Sequence, residues 1–191
     1  NQLTSLDVSQ NTALEILACS DNQLTSLDLS QNTALEHLYG SDNQLTSLDV
    51  SQNIALAWLI CYDNQLTSID LSQNTALERL FCNENPLTCL NLANGNNINF
   101  IGSQFSSDFS AVDNPNLTCI EVDDAEFSTA LWGFWFYIDP QTSFSEDCNN
   151  DCTSSLTEIT TSKNLIKILD MMGRETSFKP NTPLIYVYDS G

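Results

Sequence analysis

Apolar residues recur in triplets along the first ninety positions. Leu3, Leu6 and Val8 are followed by Leu14, Leu17 and Cys19, then by Leu24, Leu27 and Leu29, and the alternation continues. In each triplet the last two residues lie two apart, so in an extended segment both side chains face one side. In one half-unit polar residues fill the positions between, in the other those positions vary, and an Asn closes each triplet three residues on. One half-unit reads Leu24-x-x-Leu27-x-Leu29-x-x-Asn32, the other Leu14-x-x-Leu17-x-Cys19-x-x-Asn22. This spacing predicts short strands joined by tight bends. The Asn amide can bond backbone groups that each bend leaves unpaired.

Two half-units make a repeat. Residues 1–21, 22–42, 43–63 and 64–84 are near copies of one another, in unbroken succession. A fifth copy opens at Asn85 as NPLTCLNLANGNN and then departs, and a partial copy returns at Asn114 as NPNLTCIEVDD. One such coil cannot bury its apolar face alone, so the coils must stack, with successive strands about 4.8 Å apart.

The pattern resembles the bacterial leucine-rich-repeat family, and within it the 21-residue class of nested periodicity, LxxLxCxxNxLxxLDLxxNxx. The resemblance covers residues 1–92 closely and 109–122 loosely. It implies a β-rich, right-handed solenoid of two short parallel sheets, one from each half-unit, with little helix. It also implies recognition of a ligand through the variable residues of one sheet.

The four copies differ at particular columns. The half carrying LTSLDLSQN barely changes. The other half varies in three columns: Ile16, His37, Trp58, Arg79; then Ala18, Tyr39, Ile60, Phe81; then Ser20, Ser41, Tyr62, Asn83. The first two flank Leu17, Leu38, Leu59 and Leu80, which face inward, so alternation points them outward. The expected ligand-binding residues are therefore Ile16, His37, Tyr39, Trp58, Ile60, Tyr62, Arg79 and Phe81. Exposed aromatics beside an Arg are the usual material of interface hot spots. The expected ligand is a protein or a glycan.

Charge narrows the partners. The chain carries 25 Asp and Glu against five Lys and Arg, a net charge of −20. Such a surface repels phosphate, which argues against nucleic acid and anionic membrane. No apolar run reaches the roughly 20 residues that span a bilayer. The constant half carries two ladders: Thr4, Thr25, Thr46, Thr67, Thr88, and Asp7, Asp28, Asp49, Asp70 ending at Asn91. The expected role of the Asp row is a solvated face. Calcium or ice binding by these ladders is a minor alternative, and a structural spacer in a larger surface protein is the main one. No catalytic motif is present: the chain has one His, no nucleophile motif and no phosphate loop, so neither enzyme activity nor a cofactor is expected.

Seven Cys remain. Cys19, Cys61 and Cys82 occupy an inward slot that Gly40 takes once, and are expected as small buried hydrophobes rather than metal ligands. Cys89 and Cys119 replace the Ser of L-T-S-L, and Cys148 and Cys152 lie in SEDCNNDC. A Cys119–Cys148 disulfide is expected to staple the end of the solenoid. Whether Cys89 and Cys152 pair is left open. Such bridges fit a secreted or cell-surface protein.

Three segments are expected: a solenoid over 1–122 with an Asn- and Ser-rich insertion at 93–113, a cap over 123–152, and a linker with a β appendage over 153–191. The aromatics Trp132, Phe134, Trp135, Phe136 and Tyr137 suit a cap over the solenoid's open end. In the tail, NLIKILD and PLIYVYDSG read as strands. The run DMMGRETSFKPNTPLIYVYDSG resembles the start of the C-terminal sorting domain on Bacteroidetes proteins exported by the type IX route. The chain opens within a repeat, so further repeats before Asn1 are expected.

Overall fold

The computed structural model describes residues 1–97, 108–132, 138–149, 152, 165–170 and 184–188. The chain divides into two units, Asn1–Ser154 and Ser155–Gly191. The first contains strands β1 (Ile16–Ala18), β2 (His37–Tyr39), β3 (Trp58–Ile60), β4 (Ser68–Asp70), β5 (Arg79–Phe81), β6 (Cys89–Asn91), β7 (Phe109–Ser110) and β8 (Cys119–Glu121), then helix α1 (Ala125–Trp132) and strand β9 (Ser143–Ser145). The second contains β10 (Leu165–Asp170) and β11 (Leu184–Tyr188), paired antiparallel.

The first unit is a solenoid with two parallel sheets. The variable halves build a five-stranded sheet in the order β1-β2-β3-β5-β7, and the constant halves a four-stranded sheet in the order β4-β6-β8-β9. Pairing joins each strand to its counterpart one coil away, so Leu17, Leu38, Leu59, Leu80 and Phe109 stand in one register row. These five are buried, as are Leu24, Leu45, Leu66 and Leu87 of the constant half. Each fully buried Leu contributes about 1.5–3 kcal/mol of transfer free energy, which one coil in isolation could not realise.

The bends are stitched by Asn. Asn43 donates through Nδ2 to the carbonyls of Cys19, Gly40 and Ser41, while its Oδ1 accepts from Leu24 N–H at 3.0 Å. Asn64 repeats this arrangement one coil on. The residue before each such Asn is left-handed: Asp21, Asp42, Asp63, Glu84 and Asp113 have φ between 50° and 57°. Asp is among the residues that tolerate this conformation best after Gly and Asn.

The constant-half sheet is shorter than the repeat pattern implies. Only from Ser68 onward do the constant halves form strands. In the earlier coils the halves meet through Gln23 N–H to Leu3 O and Gln44 N–H to Leu24 O, while Thr46 N to Thr25 O has opened to 3.4 Å, long for a backbone bond. The ladder begins at the first copy carrying a β-branched residue at its centre: Ile69 stands where earlier copies have Leu6, Leu27 and Leu48. It continues through β6 and β8, whose Cys89 and Cys119 are bridged to Cys152 and Cys148 respectively.

After β8 the chain forms a short helix, which the triplet pattern does not foresee, with Ala125 packed against the core. Asp124 caps the helix, its Oδ1 accepting from Phe127 N–H at 2.8 Å, and Glu126 adds a favourable charge in the first turn. The aromatics Phe134, Trp135, Phe136 and Tyr137 lie outside the described residues, as do the 153–162 linker and the run from Met171 to Pro183.

Candidate functional site

The five-stranded sheet displays the variable columns. In β1, β2, β3 and β5, each three residues long, the central Leu is buried and its two neighbours flank it in the variable columns, while the two-residue β7 buries Phe109. Ile16 is 55% exposed, and His37, Tyr39, Trp58, Tyr62, Arg79 and Phe81 are partly exposed. Ile60 departs from the expectation that it faces solvent, being 9% exposed. Its register partners are the larger Tyr39 and Phe81, one on either side, and they shield it.

The first column forms a continuous stack. The His37 and Trp58 rings lie 4.4 Å apart at 21°. Arg79 Cζ lies 4.3 Å from the Trp58 ring centroid, a cation–π contact. Arg79 in turn donates through Nε (3.0 Å) and Nη2 (2.7 Å) to Asp108 Oδ1. The Asp108 side chain is 6% exposed against 31% for Arg79, so the carboxylate needs that partner. Tyr39 meets His37 edge-on at 6.4 Å. Trp58 is thus held with a ring on one face and a guanidinium on the other.

Asp108, Phe109 and Ser110 were not foreseen as part of this sheet. They arrive 29 residues after Arg79 rather than 21, because the 93–113 segment lengthens the coil. A signal was nonetheless present: Phe109-x-Ala111-x-x-Asn114 has the spacing of Leu38-x-Gly40-x-x-Asn43. Phe109 pairs with Leu80, and Asn114 makes the same carbonyl and N–H bonds as the earlier Asn residues.

The remaining columns are structural in geometry. Cys19, Cys61 and Cys82 are buried and unbridged. Burial pushes the Cys61 thiol up to about 12, holds that of Cys82 well above its ordinary value, and raises Cys19. Thiols so placed stay protonated at neutral pH and are poor nucleophiles. Each ladder Asp bonds locally: the Oδ1 atoms of Asp7, Asp28, Asp49 and Asp70 accept from the N–H of Ser9, Ser30, Ser51 and Ser72. These backbone bonds, joined by bonds from the Ser side chains, hold Asp7 and Asp28 below the usual carboxylate value. In the Thr row, Thr88 donates its hydroxyl to Thr67 O. Among the described residues no group of three or more His, Cys, Asp or Glu could hold a metal ion, and no helix is long and apolar enough to cross a membrane.

Two disulfides lie at the C-terminal end of the constant face, Cys119–Cys148 and Cys89–Cys152. A shallow cleft bounded by Leu48, Asp49, Ser51, Asp70 and Cys152 marks the level where the constant-half ladder is interrupted.

Parallel strands one coil apart, inward Leu rows and Asn-stitched bends decide the fold. It is a leucine-rich-repeat solenoid. The functional domain of InlJ from Listeria monocytogenes, which includes a cysteine ladder, is similar over 73% of this chain, at 33% identity and a TM-score of 0.50. A leucine-rich-repeat protein of Leptospira interrogans aligns over 76% of the chain at 24% identity and a TM-score of 0.47. The chain corresponds to 28% of the length of the first structure and 35% of the second. No protein-family model and no curated protein matches it.

Proposed function

We propose that this leucine-rich-repeat solenoid is a secreted or cell-surface binding module that recognises a protein or glycan through the outer columns of its five-stranded sheet. The observation that carries this reading is the stack of His37, Trp58 and Arg79 fixed by Asp108. Large side chains already immobilised lose little entropy on binding, which is the condition for a hot spot. The outward rows of the constant half carry Thr, Ser, Asp and Gln in nearly every copy and no comparable stack of aromatic side chains among the described residues. Two disulfides support an oxidising compartment. The run DMMGRETSFKPNTPLIYVYDSG supports export by the type IX route. The column of Cys19, Cys61 and Cys82, with Gly40 in the same slot, parallels the cysteine ladder of InlJ and packs the core rather than serving the ligand.

A protein and glycan array, probed with the wild-type chain and with a Trp58→Ala, Tyr39→Ala double variant, tests the proposal. The expected result is a hit lost in the variant while its circular dichroism is unchanged. A hit retained in full by a folded variant would reject this face, and silence from both would favour a structural spacer.

A further inference from the structure

We infer that the ligand of this face is a cationic protein surface presenting an apolar side chain, and not a sugar or an anionic group. The inference rests on the binding reading above and specifies its partner.

Three observations lead there. A sugar ring docks on an aromatic side chain by lying flat against an open face, but both faces of Trp58 are occupied, one by His37 and one by Arg79. Opening either would cost the stack or the Arg79–Asp108 pair. An anionic ligand fares no better. Arg79 is the sole Lys or Arg in residues 1–154, and its guanidinium is committed to Asp108.

Carboxylates, by contrast, frame the sheet on both sides. Glu15, Glu36 and Glu78 immediately precede β1, β2 and β5, and Asp21, Asp63 and Glu84 lie three residues beyond β1, β3 and β5. All six are exposed. Rows of like charge at coil spacing raise the local potential and steer a cationic partner, with a strong salt dependence.

Among the four regular copies the Glu row is broken once, in the strand that lies in the middle of the sheet. There Ala57 takes the position of the Glu, and Ile54 takes a position that is Thr in the other three copies (Thr12, Thr33 and Thr75). Ile54 is 60% exposed, among the most exposed large hydrophobics of the described residues. The third coil therefore presents Trp58 and Tyr62 between the two acidic rows, with a gap in the Glu row at Ala57 and the exposed Ile54 three residues before that gap. An apolar centre within a charged rim matches a partner with an apolar anchor ringed by Lys or Arg.

The test uses the full chain and three defined probes: a short lysine–leucine peptide, a glutamate–leucine peptide of equal length, and cellohexaose, each followed by fluorescence anisotropy. The informative variant is Ile54→Thr, Ala57→Glu, which restores the sequence of the other coils and so keeps the fold. The lysine–leucine peptide should bind the wild type. Its affinity should fall about tenfold in this variant, and again on raising NaCl from about 50 to about 300 mM. The other two probes should not bind. Equal or tighter binding of cellohexaose or the glutamate peptide would overturn the inference, as would lysine–leucine binding indifferent to the variant. If such a sugar or acidic ligand is lost in Trp58→Ala, Tyr39→Ala, the binding face stands and only its assigned chemistry falls. If no probe depends on either variant, both fall.

Discussion

At the scale of single residues the two Asn rows have the same amino acid but different bonding. Asn64 is satisfied on both sides, accepting from Leu45 N–H and donating to three carbonyls. Asn53 donates to Leu29 O and Asn32 O, yet its Oδ1 is buried without a hydrogen-bond partner, as are those of Asn32 and Asn74. An unsatisfied buried acceptor costs about 1–3 kcal/mol, and removing it with its side chain recovers part of that cost. Asn64→Ala should therefore destabilise by about 2–4 kcal/mol and Asn53→Ala by distinctly less. Urea denaturation of the two variants checks the order, and equal losses would refute the argument. Gly40 offers the opposite case. A Cβ built there lies 3.9 Å from Cys19 Sγ and 4.0 Å from Leu45 Cδ1, ordinary contact distances, and the backbone is not left-handed. Gly40→Ala should stabilise by about 0.5–1 kcal/mol by restricting the unfolded chain, read as a higher urea midpoint.

At the scale of elements, the last coil shows how an open ladder is finished. In earlier coils the bend N–H groups are taken by the next coil, as Asp21 N–H by Ser41 O and Asn22 N–H by Asp42 O. For Asp113 and Asn114 no coil among the described residues plays this part. Asp139 instead accepts from Asp113 N–H through Oδ1 at 3.0 Å and from Asn114 N–H through Oδ2 at 2.8 Å. Asp139→Ala should cost about 1–3 kcal/mol and speed hydrogen exchange at those two amides while leaving β1 to β3 protected. Uniform acceleration across the sheet would show global loss instead of a frayed cap. The disulfides act on the same end. They close loops of 63 and 29 residues, and the chain-entropy account assigns each about 4 kcal/mol. Reduction should therefore lower the thermal midpoint markedly, and the constant-half sheet should lose protection before the five-stranded one.

At the scale of the whole molecule, two kinds of titration bound the stable range. Asp7 and Asp28 are depressed in the folded state. Their contribution is present above the unfolded carboxylate value near 3.8 and is lost as pH falls through the lower folded value. Cys61 and Cys82 are raised by burial. Their contribution is complete below the unfolded thiol value near 9 and drains away as pH rises toward about 12 for Cys61. Urea midpoints followed against pH should fall at both ends, and a Cys61→Ala, Cys82→Ala variant should lose most of the alkaline arm, leaving only the part due to Cys19. The net charge of −20 adds a general repulsion, so salt at neutral pH should raise stability.

The local rules of this protein are legible in its sequence because the repeat writes them several times. A two-residue spacing of apolar side chains, an Asn at every bend and a fixed coil length leave few alternatives to stacked strands with Leu17, Leu38, Leu59 and Leu80 inside. Alternation also placed His37, Trp58 and Arg79 in one outward column. What alternation cannot express is how neighbours in that column meet. The burial of Ile60 follows from the bulk of Tyr39 and Phe81 one coil away, and the commitment of Arg79 follows from Asp108, which a lengthened coil carries out of register in sequence but back into register in space. The Cys89–Cys152 bridge and the interrupted constant-half ladder are likewise set by distances between coils. Strand direction and side-chain facing are properties of consecutive residues and so are fixed by the chain itself. Occlusion, pairing and charge neutralisation depend on residues 21 or more apart and are decided only when the coils stack.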